Sequence, residues 1–300
     1  MHFLMLFATF CWASNIVAGK AAVRGFGPLA LAQLRLAGAA LVFGFIFLLW
    51  PQRPRLHLST REWLFLARVA LFGTTLNQLF FIGGLSRTSV AHTGLIVGLG
   101  PVLVLVLSCL MRLEALTILK FAGMVTSFVG VGILTISRAG PGSGASWRGD
   151  LIQVAGSAVF AYYTVLVKEI ADRYDALTLN TLVFVMGAVM IVPFALRALL
   201  EVRWSALPGV AWGGLAFMVF FGSVAAYLIY AFALTELTAA RVAAFAYLQP
   251  AMATALGIWL LGETLTQRLV IGGALILLGV YLTERERGER QVHGRSAARE

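Results

Sequence analysis

Charge is scarce in this chain. Only 12% of its 300 residues are Asp, Glu, Lys or Arg, while 60% are hydrophobic; soluble chains run near 25% and 45–50%. A soluble globular domain is therefore excluded. Cysteine is almost missing too: Cys11 and Cys109 both fall inside apolar runs, which leaves no disulfide framework and no metal-binding spacing. The four histidines form no HExxH pair, and there is no Walker loop and no pair of membrane-depth aspartates. Zinc hydrolysis, ATP hydrolysis and intramembrane proteolysis thus have no machinery to run on, and we read no enzyme, no cofactor and no metal. Alternating segments of about ten residues, the mark of a membrane β-barrel, are absent as well. All thirteen acids can be placed at loops or span ends. A pump for lipophilic cations needs a buried carboxylate, so this absence weighs against cation extrusion. It also leaves His92 as the one candidate proton carrier away from the span ends' carboxylates.

What the chain has instead is apolar length. Ten runs of roughly twenty residues, enough to cross a hydrocarbon core of about 30 Å, lie near 3–20, 29–50, 62–84, 89–111, 118–137, 150–171, 177–199, 209–234, 239–262 and 268–284. The class is an all-α membrane protein with ten transmembrane helices. The start, MHFLMLFATFCWASN, has no basic region, so no cleavable signal is expected. The net charge of +10 resides mostly in short loops and in the tail ERERGERQVHGRSAARE, where it acts as a topology signal and not as a nucleic-acid surface. The loop lysines and arginines divide evenly between the two sides. The tail decides for both termini in the cytoplasm, and its mixed charge reads as disordered.

Two segments repeat. FAYLQPAMATALGIWLLGETL (245–265) has a fainter copy in IVGLGPVLVLVLSCLMRLEAL (96–116), with Pro101 and Glu114 lying 149 residues before Pro250 and Glu263. The same offset pairs Thr117 with Thr266, Gly123 with Gly272, Gly130 with Gly279 and Gly38 with Gly187, and an offset of 148 pairs Lys20 with Lys168. Five spans per half is odd, so the second half enters the membrane in the opposite sense. Such inverted repeats place a binding site near the midplane and suit alternating access. The halves are read as 1–139 and 150–284, joined by a linker at 140–149 (GPGSGASWRG) and followed by a tail at 285–300.

The mid-helix proline, the G-E-T-L-T that closes a span and the glycine-rich helix after it resemble the EamA-type transporters of the drug/metabolite transporter superfamily. So do the WASN segment (Trp12–Asn15) and FAYYTVLVK (Phe160–Lys168). The resemblance covers nearly the whole chain and is strongest to bacterial YddG-type exporters, which are known for aromatic amino acids. It implies an inner-membrane exporter of amino acids or related small metabolites, with the lipid bilayer and a small solute as partners and no requirement beyond a monomer. The runner-up is a proton-coupled drug or metabolite efflux carrier. The first copy departs from the pattern, with Arg112-Leu113-Glu114 where the second has Leu261-Gly262-Glu263.

Polar side chains facing lipid are penalised, so those at depth should point inward. They are Trp12, Asn15, Asn77, Gln78, His92, Tyr162, Tyr163, Tyr227, Tyr230, Tyr247 and Gln249, from spans one, three, four, six, eight and nine. Aromatic walls with a few neutral hydrogen-bonding groups suit a small amphiphilic solute, though some of these groups would serve only to bond helices together. Pro101 and Pro250 are expected to kink their helices beside a cavity. Glu114, Thr117, Glu263 and Thr266 read as caps at the turns after spans four and nine, with proton coupling as the other reading of the glutamates. Lys20 and Lys168 should snorkel to the surface. Arg35 and Arg68 are the unusual charges within spans. Either would suit an anionic substrate, and Arg68 is better explained by snorkelling. Absence of a buried acid favours facilitated diffusion or exchange.

Overall fold

The computed structural model describes residues 1–51, 58–112, 115–136, 146–168, 170, 173–236, 245 and 248–297. Among them all regular structure is helical. Helices α1 (His2–Phe26) and α2 (Pro28–Leu49) are separated by Gly27 alone, whose φ of 75° turns the chain. Glycine reaches that region without a Cβ clash, and Pro28 opens α2 at a position where no N–H is needed. Helix α3 (Thr60–Leu85) begins on a capping box. The Glu62 amide donates to Ser59 Oγ at 3.3 Å, and the Ser59 amide donates to the Glu62 carboxylate at 2.9 Å; both orphan donors of the first turn are thereby satisfied.

There follow α4 (Val90–Leu110), α5 (Ile118–Ile136), α6 (Trp147–Lys168) and α7 (Ala176–Met190). A 60° bend joins α7 to its continuation, Val192–Leu200. The bend falls where Pro193 cannot donate to the preceding turn, a break that the apolar run 177–199 does not announce. Helix α8 comprises Gly209–Phe217, Met218–Ala225 and Ala226–Glu236. The last two are α9 (Leu248–Leu261) and α10 (Gln267–Ala297). Among the described residues, six helices (α1, α2, α3, α4, α6, α8) are long and apolar enough to cross a bilayer, and α7 adds a seventh if its bent parts form one span. Shorter apolar stretches occupy Ile118–Leu134, Leu248–Leu261 and Gln267–Thr283.

Glycine sets the closest helix approaches. A Cβ on Gly123 would lie 2.6 Å from the Gly279 carbonyl oxygen, and one on Gly130 would lie 2.6 Å from that of Gly272. As one partner rises in number the other falls, so α5 and α10 are antiparallel. Ser127 Oγ, between them, donates to the Ile276 carbonyl at 3.2 Å. Helices α4 and α9 cross in the same way, with a Cβ on Gly94 falling 2.6 Å from Ala253 Cβ and one on Gly98 2.6 Å from Pro250 Cγ. The two proline segments therefore lie against each other. Close backbone approach at small residues is the usual source of helix association in lipid.

Two helices widen to π geometry, α3 at Leu71–Leu76 and α8 at Met218–Ala225. Such turns concentrate at functional sites.

Three expectations are corrected. Helix α6 begins at Trp147, inside the stretch read as linker, because Ser146 caps it: the Gly149 amide donates to Ser146 Oγ at 3.1 Å and the Asp150 amide to its carbonyl at 3.0 Å. The backbone of α10 stays helical to Ala297, where a disordered tail was expected; the sequence sets Arg285 four before Glu289 and Glu286 four before Arg290, a spacing that supports a helix. Lys20 does not snorkel. Its Nζ donates to the Leu85 carbonyl at 2.8 Å and also to that of Thr88, closing the end of α3.

After α4 the chain turns through Arg112 at φ 58°, and after α9 through Gly262 at φ 66°. The first is strained for any residue with a Cβ, at about 1 kcal/mol. Thermal unfolding in detergent should give a higher midpoint for Arg112→Gly and a lower one for Gly262→Ala, each reflecting a stability change of about 1 kcal/mol. Unchanged midpoints would mean that these turns do not set the helix ends.

Candidate functional site

Helices α1, α2, α3 and α8 meet around Arg35. This side chain is 5% exposed, and its Nε donates to Ser223 Oγ and its Nη1 to Gln78 Oε1, both at 3.2 Å. The guanidinium lies 5.8 Å from the centre of the Phe81 ring, a cation–π distance. Ser223 sits in the π turn of α8, and Gln78 lies two residues past the end of that of α3. The hydroxyl thus comes from one irregular segment and the amide from just beyond the other, one in each half of the chain.

Aromatic rings line the same region. The Trp12 ring centre is 5.9 Å from that of Tyr227 and 5.5 Å from that of Tyr230, and Tyr227 meets Phe184 edge-on at 5.7 Å. Tyr227 lies four residues after Ser223 in α8 and packs in the same apolar cluster as Phe81 and Ile82. Each π turn presents a glycine to the opposite half. A Cβ on Gly73 would sit 2.2 Å from the Tyr163 ring, and one on Gly222 would sit 2.2 Å from Asn15 Oδ1. Gly73 and Gly222 are 149 apart, and Asn15 and Tyr163 are 148 apart. One packing arrangement therefore occurs twice, with α1 on α8 and α6 on α3.

A second polar cluster gathers where α3 ends and α4 and α6 begin. His92 Nδ1 lies 2.9 Å from Asp150 Oδ2, Thr88 Oγ1 donates to Asp150 Oδ1, and Ser89 Oγ accepts from the His92 amide at 3.1 Å. Glu263 reaches this turn from the end of α9, its carboxylate accepting from the amides of Val90 at 2.6 Å and Ala91 at 2.9 Å. It therefore closes the first turn of α4, a helix begun 173 residues earlier, and meets the positive end of that dipole. Thr266 accepts from the Leu269 amide at 3.1 Å and Thr117 from the Lys120 amide at 3.4 Å, each at the start of the helix that follows it.

Of the residues singled out in the sequence, Gln78 bonds Arg35, Trp12 packs with Tyr227 and Tyr230, and Asn15 and Tyr163 each lie against a π-turn glycine. Tyr162 turns instead to Phe72, edge-on at 4.8 Å. Asn77 and Gln249 are half-buried. His92 bonds to Asp150, in the second cluster. Tyr247 and Glu114 lie outside the described residues. Pro101 and Pro250 are helical residues in α4 and α9, the break in α4 falling at Gly98 and Leu99. Sequence reasoning missed Ser223, the partner of Arg35, and Gly73 and Gly222, although their 149-residue spacing was there to find. It also missed the burial of Asp150, which is 1% exposed although it belongs to the first turn of its helix. Every acid can still be placed near a span end, but at this one the end is enclosed by protein.

Long apolar helices with a buried polar centre between them define the class as a multi-pass membrane protein. The chain belongs to the EamA-like transporter family, whose model matches residues 1–136 and 147–285. It is 27% identical over 289 residues to an uncharacterized transporter of Archaeoglobus fulgidus, covering 95% of this chain and 98% of the other. To the uncharacterized transporter YyaM of Bacillus subtilis it is 30% identical over 285 residues, covering 92% and 90%. A solved crystal structure, 18% identical, resembles it with a TM-score of 0.60 over 93% of this chain and 94% of that one, which speaks to the fold.

The Glu263 contact lends itself to a direct test. Glu263→Gln should speed hydrogen exchange at Val90 and Ala91 and lower stability by about 1.5–3 kcal/mol, the range for hydrogen bonds to a charged group. Unchanged protection at those two amides would mean that the carboxylate does not hold the start of α4.

Proposed function

We propose that the chain is an inner-membrane exporter of neutral amino acids, aromatic ones among them, or of related small metabolites, working by alternating access. The observation that carries this reading is the aromatic and neutral polar lining where α1, α3, α6 and α8 meet: Trp12, Tyr163, Tyr227 and Tyr230 with Asn15 and Gln78. Rings accept an apolar side chain, and amides and hydroxyls accept the polar end of an amphiphilic solute.

Ten spans arranged as two inverted five-helix halves complete the reading. Three observations support it. Lys20, near the end of α1, and Asp150, at the start of α6, are both bonded to the turn after α3, so the first helix of one half ends on the face where the first helix of the other begins. The glycine pairs between α5 and α10 are reciprocal under the repeat, as a two-fold relation requires. The family match also breaks at 137–146, next to the proposed linker. The tail charges support cytoplasmic termini.

Whether transport is facilitative or proton-coupled turns on one cluster. The facilitative reading rests on the absence of a buried acid, and the enclosed His92–Asp150 pair favours coupling as a second reading. The two readings separate in liposomes. Purified protein should exchange labelled phenylalanine, threonine or methionine against unlabelled amino acid with no ion gradient. Uptake that requires an imposed pH gradient, and that Asp150→Asn abolishes, would replace exchange with proton coupling. If no amino acid moves and an organic cation does, the substrate reading is wrong.

The lining makes a sharper prediction. The Cβ of Gly73→Ala would press on the Tyr163 ring, so this variant should lower phenylalanine exchange by roughly tenfold, about 1.4 kcal/mol, while leaving the protein folded by circular dichroism. Wild-type exchange in that variant would remove Tyr163 from the path.

A further inference from the structure

Arg35 is the only buried arginine among the described residues, and no described carboxylate pairs with it. A cation enclosed among helices at this depth is expensive unless compensated. Its compensation here is entirely neutral: one hydroxyl, one amide oxygen and the face of Phe81. A guanidinium carries five N–H donors. Two of its nitrogens are bound to protein, through Nε and Nη1, whereas Nη2 has no acceptor among the described residues. Nor is Nη2 sealed away: the fully enclosed, unpartnered polar atoms are Ser14 Oγ, Asn15 Oδ1, Gln33 Oε1 and Gln153 Oε1. The arrangement holds a fixed positive charge in place and keeps part of its donor fork unspent.

We propose that Arg35 is the anchor for a carboxylate of the transported solute. The proposal rests on the transport reading above and narrows it to solutes that carry a carboxylate, whether or not they also carry an ammonium group. A planar guanidinium matches a carboxylate in shape and charge, and such charge-assisted bonds are among the strongest available to a side chain. One monoanionic group suffices to balance one guanidinium. A phosphate dianion would call for a second cation, and no other arginine is buried nearby. The aromatic group beside it (Tyr227, Trp12, Tyr230) is placed to receive the apolar remainder of such a solute. Because Gln78 and Ser223 are supplied by the two π-turn helices, an arriving carboxylate competes for the guanidinium with one contact from each half.

The test uses purified full-length protein in liposomes and three labelled probes that share one ring: 3-phenylpropionate (carboxylate only), phenylalanine (carboxylate and ammonium) and phenethylamine (ammonium only). Counterflow is measured for wild type, for Arg35→Gln and for Gln78→Glu. The last keeps the arginine but gives it a resident carboxylate, so the fold is preserved by an internal ion pair. Wild type is expected to exchange the carboxylate probes and to discriminate against phenethylamine, and both variants should lose carboxylate exchange by at least about tenfold, the loss expected on removing a charge-assisted bond. If Arg35→Gln does not fold, Gln78→Glu alone decides. Exchange of 3-phenylpropionate but not phenylalanine, lost in Gln78→Glu, would uphold the anchor and sink the amino acid reading. Equal exchange of phenethylamine in wild type, full carboxylate exchange by folded Gln78→Glu, or no exchange of either carboxylate would each overturn the proposal.

Discussion

In hydrocarbon, a backbone N–H or C=O has no water to turn to, so every departure from regular helix must be sheltered by protein or by a ligand. This constraint organises the molecule. The π turn of α3 is served by threonines: Thr74 Oγ1 donates to the Ala70 carbonyl at 2.7 Å and to the Val183 carbonyl of α7 at 3.2 Å, and Thr75 Oγ1 donates to the Gly187 carbonyl at 3.3 Å. The break in α4 before Pro101 is served by α6, where Ser157 Oγ donates to the Ile96 carbonyl at 3.4 Å. It is covered by the ring of Pro250 lying on Gly98. Irregular backbone appears where another helix closes over it, and the hydroxyls there come from the covering helix or from the turn itself.

Shelter of that kind demands close approach, which explains where the glycines fall. Gly73, Gly94, Gly98, Gly123, Gly130 and Gly222 stand at contacts where even a methyl group would collide with a neighbouring helix. The same contacts that pack the helices also bring the two π turns to a common centre, and so bring Gln78 and Ser223 to one guanidinium. The structural and the chemical roles of these helices are one geometry seen twice.

Much of this was open to reading in the sequence and some was closed for physical reasons. Apolar length fixes where helices run, and a repeated Pro, Glu and Gly survive in it because each has a backbone or packing job that no other residue does as well. Partners across the fold leave no such trace. Nothing near Glu263 indicates that its carboxylate serves α4 and not the helix after it, because the choice is made by how α9 ends against the Ser89 turn. Lys20 reads as a snorkelling lysine by position, yet the carbonyls at the end of α3 are nearer than water. Asp150 reads as a span-end acid, and is one, but Gly149 and Gly84 let α6 settle so closely on the preceding turn that the carboxylate is enclosed. Arg35 showed itself only as a charge out of place; its neutral partners became visible once α2, α3 and α8 were assembled.

Charge and glycine hold the helices together in two different ways. Lys20, Asp150, His92 and Glu263 all work at one end of the bundle, on the termini of α3, α4, α6 and α9. Asp150 and His92 are enclosed there, so parting them would strand a buried carboxylate unless water entered. The α5–α10 contacts set backbone against backbone, and the α4–α9 contacts set Gly94 on Ala253 and Gly98 on the Pro250 ring. Arg35 bonds Ser223 in the π turn of α8 and Gln78 just beyond that of α3, so one charge ties together residues from the two halves of the sequence.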